Sequence, residues 1–152
     1  MSETARSDPR TVVAVVLWYR GRIGLFKRSS AIAHDVGLWH CLTGYIEAGT
    51  EPTEQAFQEI FEETGLIAAD LDRFKKGPIL ELLDASGDVW NVHTFQGETM
   101  RRKLTLNWEN DSHRWVAPHK VPGFLQVSWL SDVISALESP VACQRDGTTS
   151  LE

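Results

Sequence analysis

Residues 11–19, TVVAVVLWY, constrain the fold more than any other segment. A β-branched run with almost no polar interruption is the pattern of a strand buried along most of its length. Arg20-Gly21 then makes a turn, and residues 22–27 (RIGLFK) alternate, so the two segments read as a hairpin. Residues 38–46 (LWHCLTGYI) read as another strand, interrupted at Thr43-Gly44, where glycine permits a bend or the close approach of another group to the backbone.

From Pro52 to Thr64 the period changes to that of a helix. Ala56, Phe57, Ile60, Phe61 and Thr64 share one side, Pro52 suits the first turn and Gly65 the stop. Residues 78–83 and 89–96 read as strands around the turn Asp84-Ala85-Ser86-Gly87, residues 114–117 as a shorter strand, and residues 125–138 as a C-terminal helix. Residues 1–10 and 139–152 are rich in Ser, Thr, Pro and charge without an apolar period, so they read as flexible ends around one domain at residues 11–138. A chain of 152 residues suits a single domain.

Composition excludes several classes. With 42% hydrophobic and 24% charged residues the chain can bury a core, which rules out disorder as a description of the whole. A net charge of -6 makes non-specific nucleic-acid binding unfavourable. No apolar run reaches the length of a membrane span and residues 1–10 lack the pattern of a signal peptide, so no membrane partner is expected and a cytoplasmic location is. Cys41 and Cys143 stand far apart without zinc-type spacing, which argues against a structural metal or a disulfide framework.

Glu59, Glu62 and Glu63 stand at i, i+3 and i+4 on the central helix, within an arc of about 100° and opposite the Phe57, Ile60 and Phe61 side. Like-charged neighbours at this spacing cost a few tenths of a kcal/mol per pair, and the last turns of a helix are already the negative end of its dipole. A hard divalent cation such as Mg2+, which takes oxygen ligands and shares them with substrate phosphates, would offset both costs. The plain alternative is a solvated acidic face.

The wider spacing selects between the two. From Gly44 the chain runs GYIEAGTEPTEQAFQEIFEETGL, which resembles the Nudix box: Gly, five residues, Glu, seven residues, Arg-Glu, an aliphatic, any residue, Glu-Glu, any residue, Gly, an aliphatic. Gly44, Glu59, Ile60, Glu62, Glu63, Gly65 and Leu66 match in register. Thr50 stands where the family has its first Glu, with Glu51 one place later, and Gln58 stands where the family has Arg. Gly37-Leu38-Trp39, Thr43-Gly44 and the stretch from Glu109 to Val116 extend the resemblance, which covers about residues 11–138.

The resemblance implies an α/β fold, a Nudix-type α/β/α sandwich with a mixed sheet, and hydrolysis of a nucleoside diphosphate linked to another group with Mg2+ or Mn2+. It implies that Glu59 and Glu63 are metal ligands, that Glu62 is a ligand or orients the attacking water, and that a backbone carbonyl of Thr43 or Gly44 completes the shell. Glu62 and Glu109 are both candidates for the catalytic base, with an ordinary loop acid as the alternative for Glu109. Trp90 and Trp108, flanked by polar residues, are candidates for contact with a nucleotide base, whereas Trp39 and Trp115 read as packing. The lead-in around Trp39 and the spacing of Glu109 to Trp115 lean to a small-molecule, nucleoside triphosphate-like substrate cleaved to a monophosphate and pyrophosphate. Members of the family often form homodimers, which leaves that assembly open here. Thr50 and Gln58 keep a second reading open, a weak or inactive domain that binds a nucleotide or nucleotide sugar as a sensor.

Overall fold

The computed structural model describes residues 10–33 and 35–143, the last five as backbone. In chain order it contains β1 (Arg10–Tyr19), β2 (Arg22–Arg28), β3 (Trp39–His40), β4 (Leu42–Tyr45), α1 (Pro52–Thr64), a short 3-10 turn (Ala68–Asp70), β5 (Leu71–Leu83), β6 (Val89–Thr99), β7 (Asn110–Val116), a second 3-10 segment (Pro118–Gly123) and α2 (Leu130–Cys143). The strands form one mixed sheet with the path β3-β2-β1-β6-β5, to which β4 adds against β1 and β7 against β2.

β1 is the hub. It pairs parallel with β6 from Arg10↔Trp90 to Trp18↔Glu98, and antiparallel with β4 and β2. Its alternation divides the interior in two. Val13, Val15 and Leu17 pack with Ala56 and Ile60 of α1, while Val12, Ala14 and Val16 pack with Leu130, Val133 and Leu137 of α2. A strand clothed by a helix on each face needs apolar residues at every position, which is why this run lacks the polar alternation of a half-exposed strand. The result is the expected α/β/α sandwich.

α1 has the boundaries read from the sequence, with Pro52 at its first position and Gly65 closing it at φ 79°. Its buried face is different: Gln55, Ala56, Glu59, Ile60, Glu63 and Thr64 are buried, and Phe61 is 57% exposed. The strand expected at residues 38–46 breaks at Cys41, and Thr43-Gly44 lies within β4. The cause is a change of neighbour, since His40 pairs with Phe26 of β2 while Leu42 already pairs with Val15 of β1.

β5 begins at Leu71, well before residue 78. The charged stretch Asp72, Arg73, Lys75 and Lys76 hides it, because β5 is an outer strand with two register shifts, one of which accommodates Pro78. β6 runs on to Thr99, and β7 starts at Asn110 rather than 114 and stops at Val116. α2 starts at Leu130; residues before it tie back to β3, where Val127 N–H donates to the Trp39 carbonyl at 3.0 Å. Arg10, assigned to the flexible N-terminus, opens β1 and pairs with Asp88 at 3.3 Å. Of the expected C-terminal tail, residues 139–143 continue α2 as backbone. The remainder of both ends, residues 1–9 and 144–152, lies outside the described residues.

Candidate active site

Two rows at i, i+4 spacing run along the inner side of α1. Ala56 and Ile60 meet the apolar face of β1, with Thr64 buried at the end of their row, and Gln55, Glu59 and Glu63 lie beside them, turned inward as well. The Glu59 carboxyl rests directly on Gly44 of β4, where a Cβ would overlap its carboxyl carbon and both oxygens. Gln55 is fully buried and fixes this contact: its Oε1 accepts from the Glu47 N–H at 3.1 Å and its Nε2 donates to Glu59 Oε2 at 2.9 Å. The loop that leads into the helix is thereby tied to the carboxylate.

Glu63 lies one turn further on. Its Oε1 accepts from Asn110 Nδ2 at 3.1 Å, and its Oε2 is buried without a hydrogen-bond partner. Glu109 arrives from the connection into β7, whose path is pinned by Ser29. The Ser29 hydroxyl donates to the Trp108 carbonyl at 2.6 Å, and the Ser29 N–H donates to the Glu109 carbonyl at 2.9 Å. Glu59, Glu63 and Glu109 then each offer one oxygen within 4.8 Å of the others.

The electrostatics are those of crowded, buried carboxylates, with Arg28 opposing the rise only at Glu109. Burial, then the charges of Glu62 and Glu109, push Glu59 up to about 7 against the opposing Gln55 hydrogen bond. Glu63 stands well above the ordinary carboxylate range because it is buried and faces Glu109 and Glu59. Glu109 is raised by partial burial and by Glu62. An all-oxygen donor set holding an unpartnered buried lone pair and mutually repelling acids fits a hard divalent cation.

The other candidates take distinct places. Glu62 is exposed and outside the three-carboxylate group; its Oε2 accepts from Gln58 Nε2 at 3.3 Å. Thr43 and Gly44 lie in β4, paired with Ala14 and Val13, with Gly44 against Glu59. Trp108, 62% exposed, flanks Glu109. Trp90 belongs to the α2 side of the sheet, where its ring packs near Tyr45 and Trp129, lies under Arg10 and donates its Nε1–H to Asp84 at 2.9 Å. Sequence reading missed Gln55, Asn110 and Ser29. Gln55 carried a signal, standing four residues before Glu59 and eight before Glu63 on one helical row; Ser29 carried none.

Fold and site together give an α/β/α sandwich with three carboxylates gathered beside its central sheet. The profile described as NUDIX domain matches residues 8–136, so the chain belongs to the NUDIX family. It is similar to the MutT protein of Methanosarcina mazei, with TM-score 0.72 and 18% identity over 85% of this chain and 93% of that one. It is also similar to the NUDIX domain of Shewanella oneidensis NrtR, solved with ADP ribose, with TM-score 0.75 and 13% identity over 91% and 92% of the two chains. At these identities the likeness is one of fold. A curated relative, an octanoyltransferase of Myxococcus xanthus, is 35% identical over 127 residues; the match covers 76% of this chain and 33% of that protein, so the chain spans about a third of the relative's length. Among the described residues no helix is long and apolar enough to cross a membrane.

Proposed function

We propose that the chain hydrolyses the diphosphate linkage of a nucleoside triphosphate-like substrate, giving a monophosphate and pyrophosphate, with Mg2+ or Mn2+ held by Glu59, Glu63 and Glu109. The observation that carries this reading is the convergence of the three carboxylates within 4.8 Å, with one oxygen of Glu63 buried and unpartnered. A cation held there supplies neutralisation of phosphate charge and polarisation of water.

The remaining work falls to the chain's own residues. Gln55 and Asn110 hold Glu59 and Glu63 in place, and Ser29 holds the backbone on either side of Glu109. The backbone carbonyl of Thr43 or Gly44 is a further candidate ligand. Glu62, exposed and close enough to raise Glu59 and Glu109, is positioned to take the proton of the attacking water, with Gln58 orienting it. This assigns Glu109 to the cation and Glu62 to proton transfer. The exposed Trp108 ring is the platform for a nucleotide base, whereas the Trp90 ring is engaged in packing.

Release of phosphate and pyrophosphate is measured with Mg2+ or Mn2+ over nucleoside triphosphates, dihydroneopterin triphosphate, ADP-ribose, nucleotide sugars and diadenosine polyphosphates. The expected result is turnover of a triphosphate, with Glu63→Gln abolishing both turnover and the rise in melting temperature on adding metal. Turnover confined to another class overturns the substrate assignment. Silence across the panel, with metal-dependent stabilisation by a nucleotide, transfers the reading to the sensor. Metal that leaves the melting temperature unchanged overturns the centre itself.

A further inference from the structure

Far from the carboxylates the chain builds a site of opposite charge. A groove of about 680 Å³ is lined by Arg20 and Arg22 of the first hairpin, Arg102 and Lys103 of the β6–β7 connection, Arg114 of β7 and Lys120 of the second 3-10 segment. Four separate pieces of chain deliver these cations, and no Asp or Glu is among the lining residues. The chain has 15 Lys and Arg in all against 21 Asp and Glu, so six cations in one groove leave the remaining surface more acidic than the net charge of -6 conveys.

None of the six makes an ion pair among the described residues, whereas Arg10, Arg73 and Arg101 elsewhere each have a carboxylate partner. Self-repulsion of this kind is a cost to the fold unless something anionic offsets it. The walls are nonetheless held firmly. Arg20 and Gly21 both sit at positive φ, 50° and 78°, in a two-residue hairpin turn that keeps Tyr19 paired with Arg22. The Arg102 carbonyl accepts from Trp115 Nε1 at 2.9 Å, which anchors the backbone of the connection and leaves its side chain free.

Aromatic surface completes the groove. The Trp115 ring lies 5.3 Å from that of Tyr19 and meets His113 edge-on at 5.8 Å, and the Arg20 guanidinium stacks over Tyr19 at 5.4 Å. The groove is at the Ile23↔Val116 end of the β2–β7 ladder, and Glu109 precedes the opposite end, where Arg28 pairs with Asn110. Along an extended strand that separation is roughly 20 Å, so one short diphosphate does not engage both.

We infer that this groove is a second binding site, for a small anion carrying several phosphates. Guanidinium groups recognise phosphate oxygens in pairs, and the half-buried rings of Tyr19, His113 and Trp115 leave surface for a base or another flat group. A groove of several hundred Å³ matches a ligand of nucleotide size, not a nucleic-acid strand running the length of the molecule. The site is independent of the metal centre and of the proposed reaction.

The test is calorimetric titration of the full chain with tripolyphosphate and with ATP at low salt, in buffer freed of metal by a chelating resin because EDTA is itself a polyanion. The metal-free carboxylates repel both probes, so binding reports the groove. Expected is saturable binding that weakens as salt rises, and that falls at least tenfold in Arg102→Ala/Lys103→Ala and in Arg114→Ala/Lys120→Ala at unchanged melting temperature. Glu63→Gln and the charge-matched control Lys75→Ala/Lys76→Ala on β5 retain it. Absence of binding, equal loss in the β5 control, or loss in Glu63→Gln overturns the inference. So does a single-stranded oligonucleotide that binds while both small phosphates fail.

Discussion

Gly44 and Glu63 show how single positions govern the centre. At Gly44 the need for glycine is one of space: the Glu59 carboxyl occupies the volume a side chain would fill. Gly44→Ala is expected to cost about 1–3 kcal/mol through overpacking and to lower kcat/KM at least tenfold, or about 1.4 kcal/mol of transition-state stabilisation; denaturant melts and initial rates on one preparation check both. Glu63 presents the opposite case, a side chain that weakens the metal-free fold. An acid whose pKa is raised by folding binds its proton more tightly in the native state, so its contribution to stability is largest at low pH and is lost as pH rises above the ordinary 4.5. Glu63→Gln is therefore expected to melt above the parent at pH 8 without metal, each kcal/mol being worth about 2–4 °C, and the difference should shrink as pH falls toward 4.5. A lower melting point for Glu63→Gln at pH 8 would contradict the assigned burial of charge.

Among the elements, α1 carries the clearest lesson. Gln58, where relatives carry Arg, donates to Glu62 at 3.3 Å on the exposed side, so Gln58→Arg gains a charge next to Glu62 without disturbing the core. Activity is expected to stay level or rise by up to about tenfold, read from kcat with metal saturating; a large loss would show that the neutral amide is required. The limits of this helix were legible because Pro52, Gly65 and the apolar period agree. Its inward face was not, since Gln55, Glu59 and Glu63 are buried by contacts with Glu47, Gly44 and Asn110 that come from elsewhere in the chain. Spacing put Glu59, Glu62 and Glu63 on one patch; the structure turns Glu59 and Glu63 inward and leaves Glu62 exposed, while their union with Glu109 depends on how β7 pairs. The first half of β5, Leu71 to Gly77, escaped notice for a related reason: as part of an outer strand it tolerates charges and register shifts that erase a period of two.

For the whole molecule, the division of charge sets two poles on one sheet, acids gathered under α1 and unpaired cations around the first hairpin. The pH response of the fold has two opposed limbs. His40, fully buried beside Trp129, is held down to about 3 mainly by burial and secondarily by Arg28. A base lowered by folding stabilises above its ordinary 6.5 and loses that contribution as pH falls toward 3. His40→Phe is expected to reduce acid sensitivity between those limits even where packing lowers its stability at neutral pH, which melts at several pH values resolve.

The separation of 47 positions between Glu63 and Asn110 also bears on the order of assembly. β1, β4 and α1 can meet from the first half of the chain, but the third carboxylate arrives only when β7 closes on β2. The three-carboxylate cluster is thus expected to close late, after α1 has packed on β1. Contacts made after the folding barrier act on the escape rate, so saturating Mg2+ should slow unfolding in stopped-flow measurements and leave the refolding rate nearly unchanged. A cation held there would work as a latch on the finished molecule, not as a seed for it.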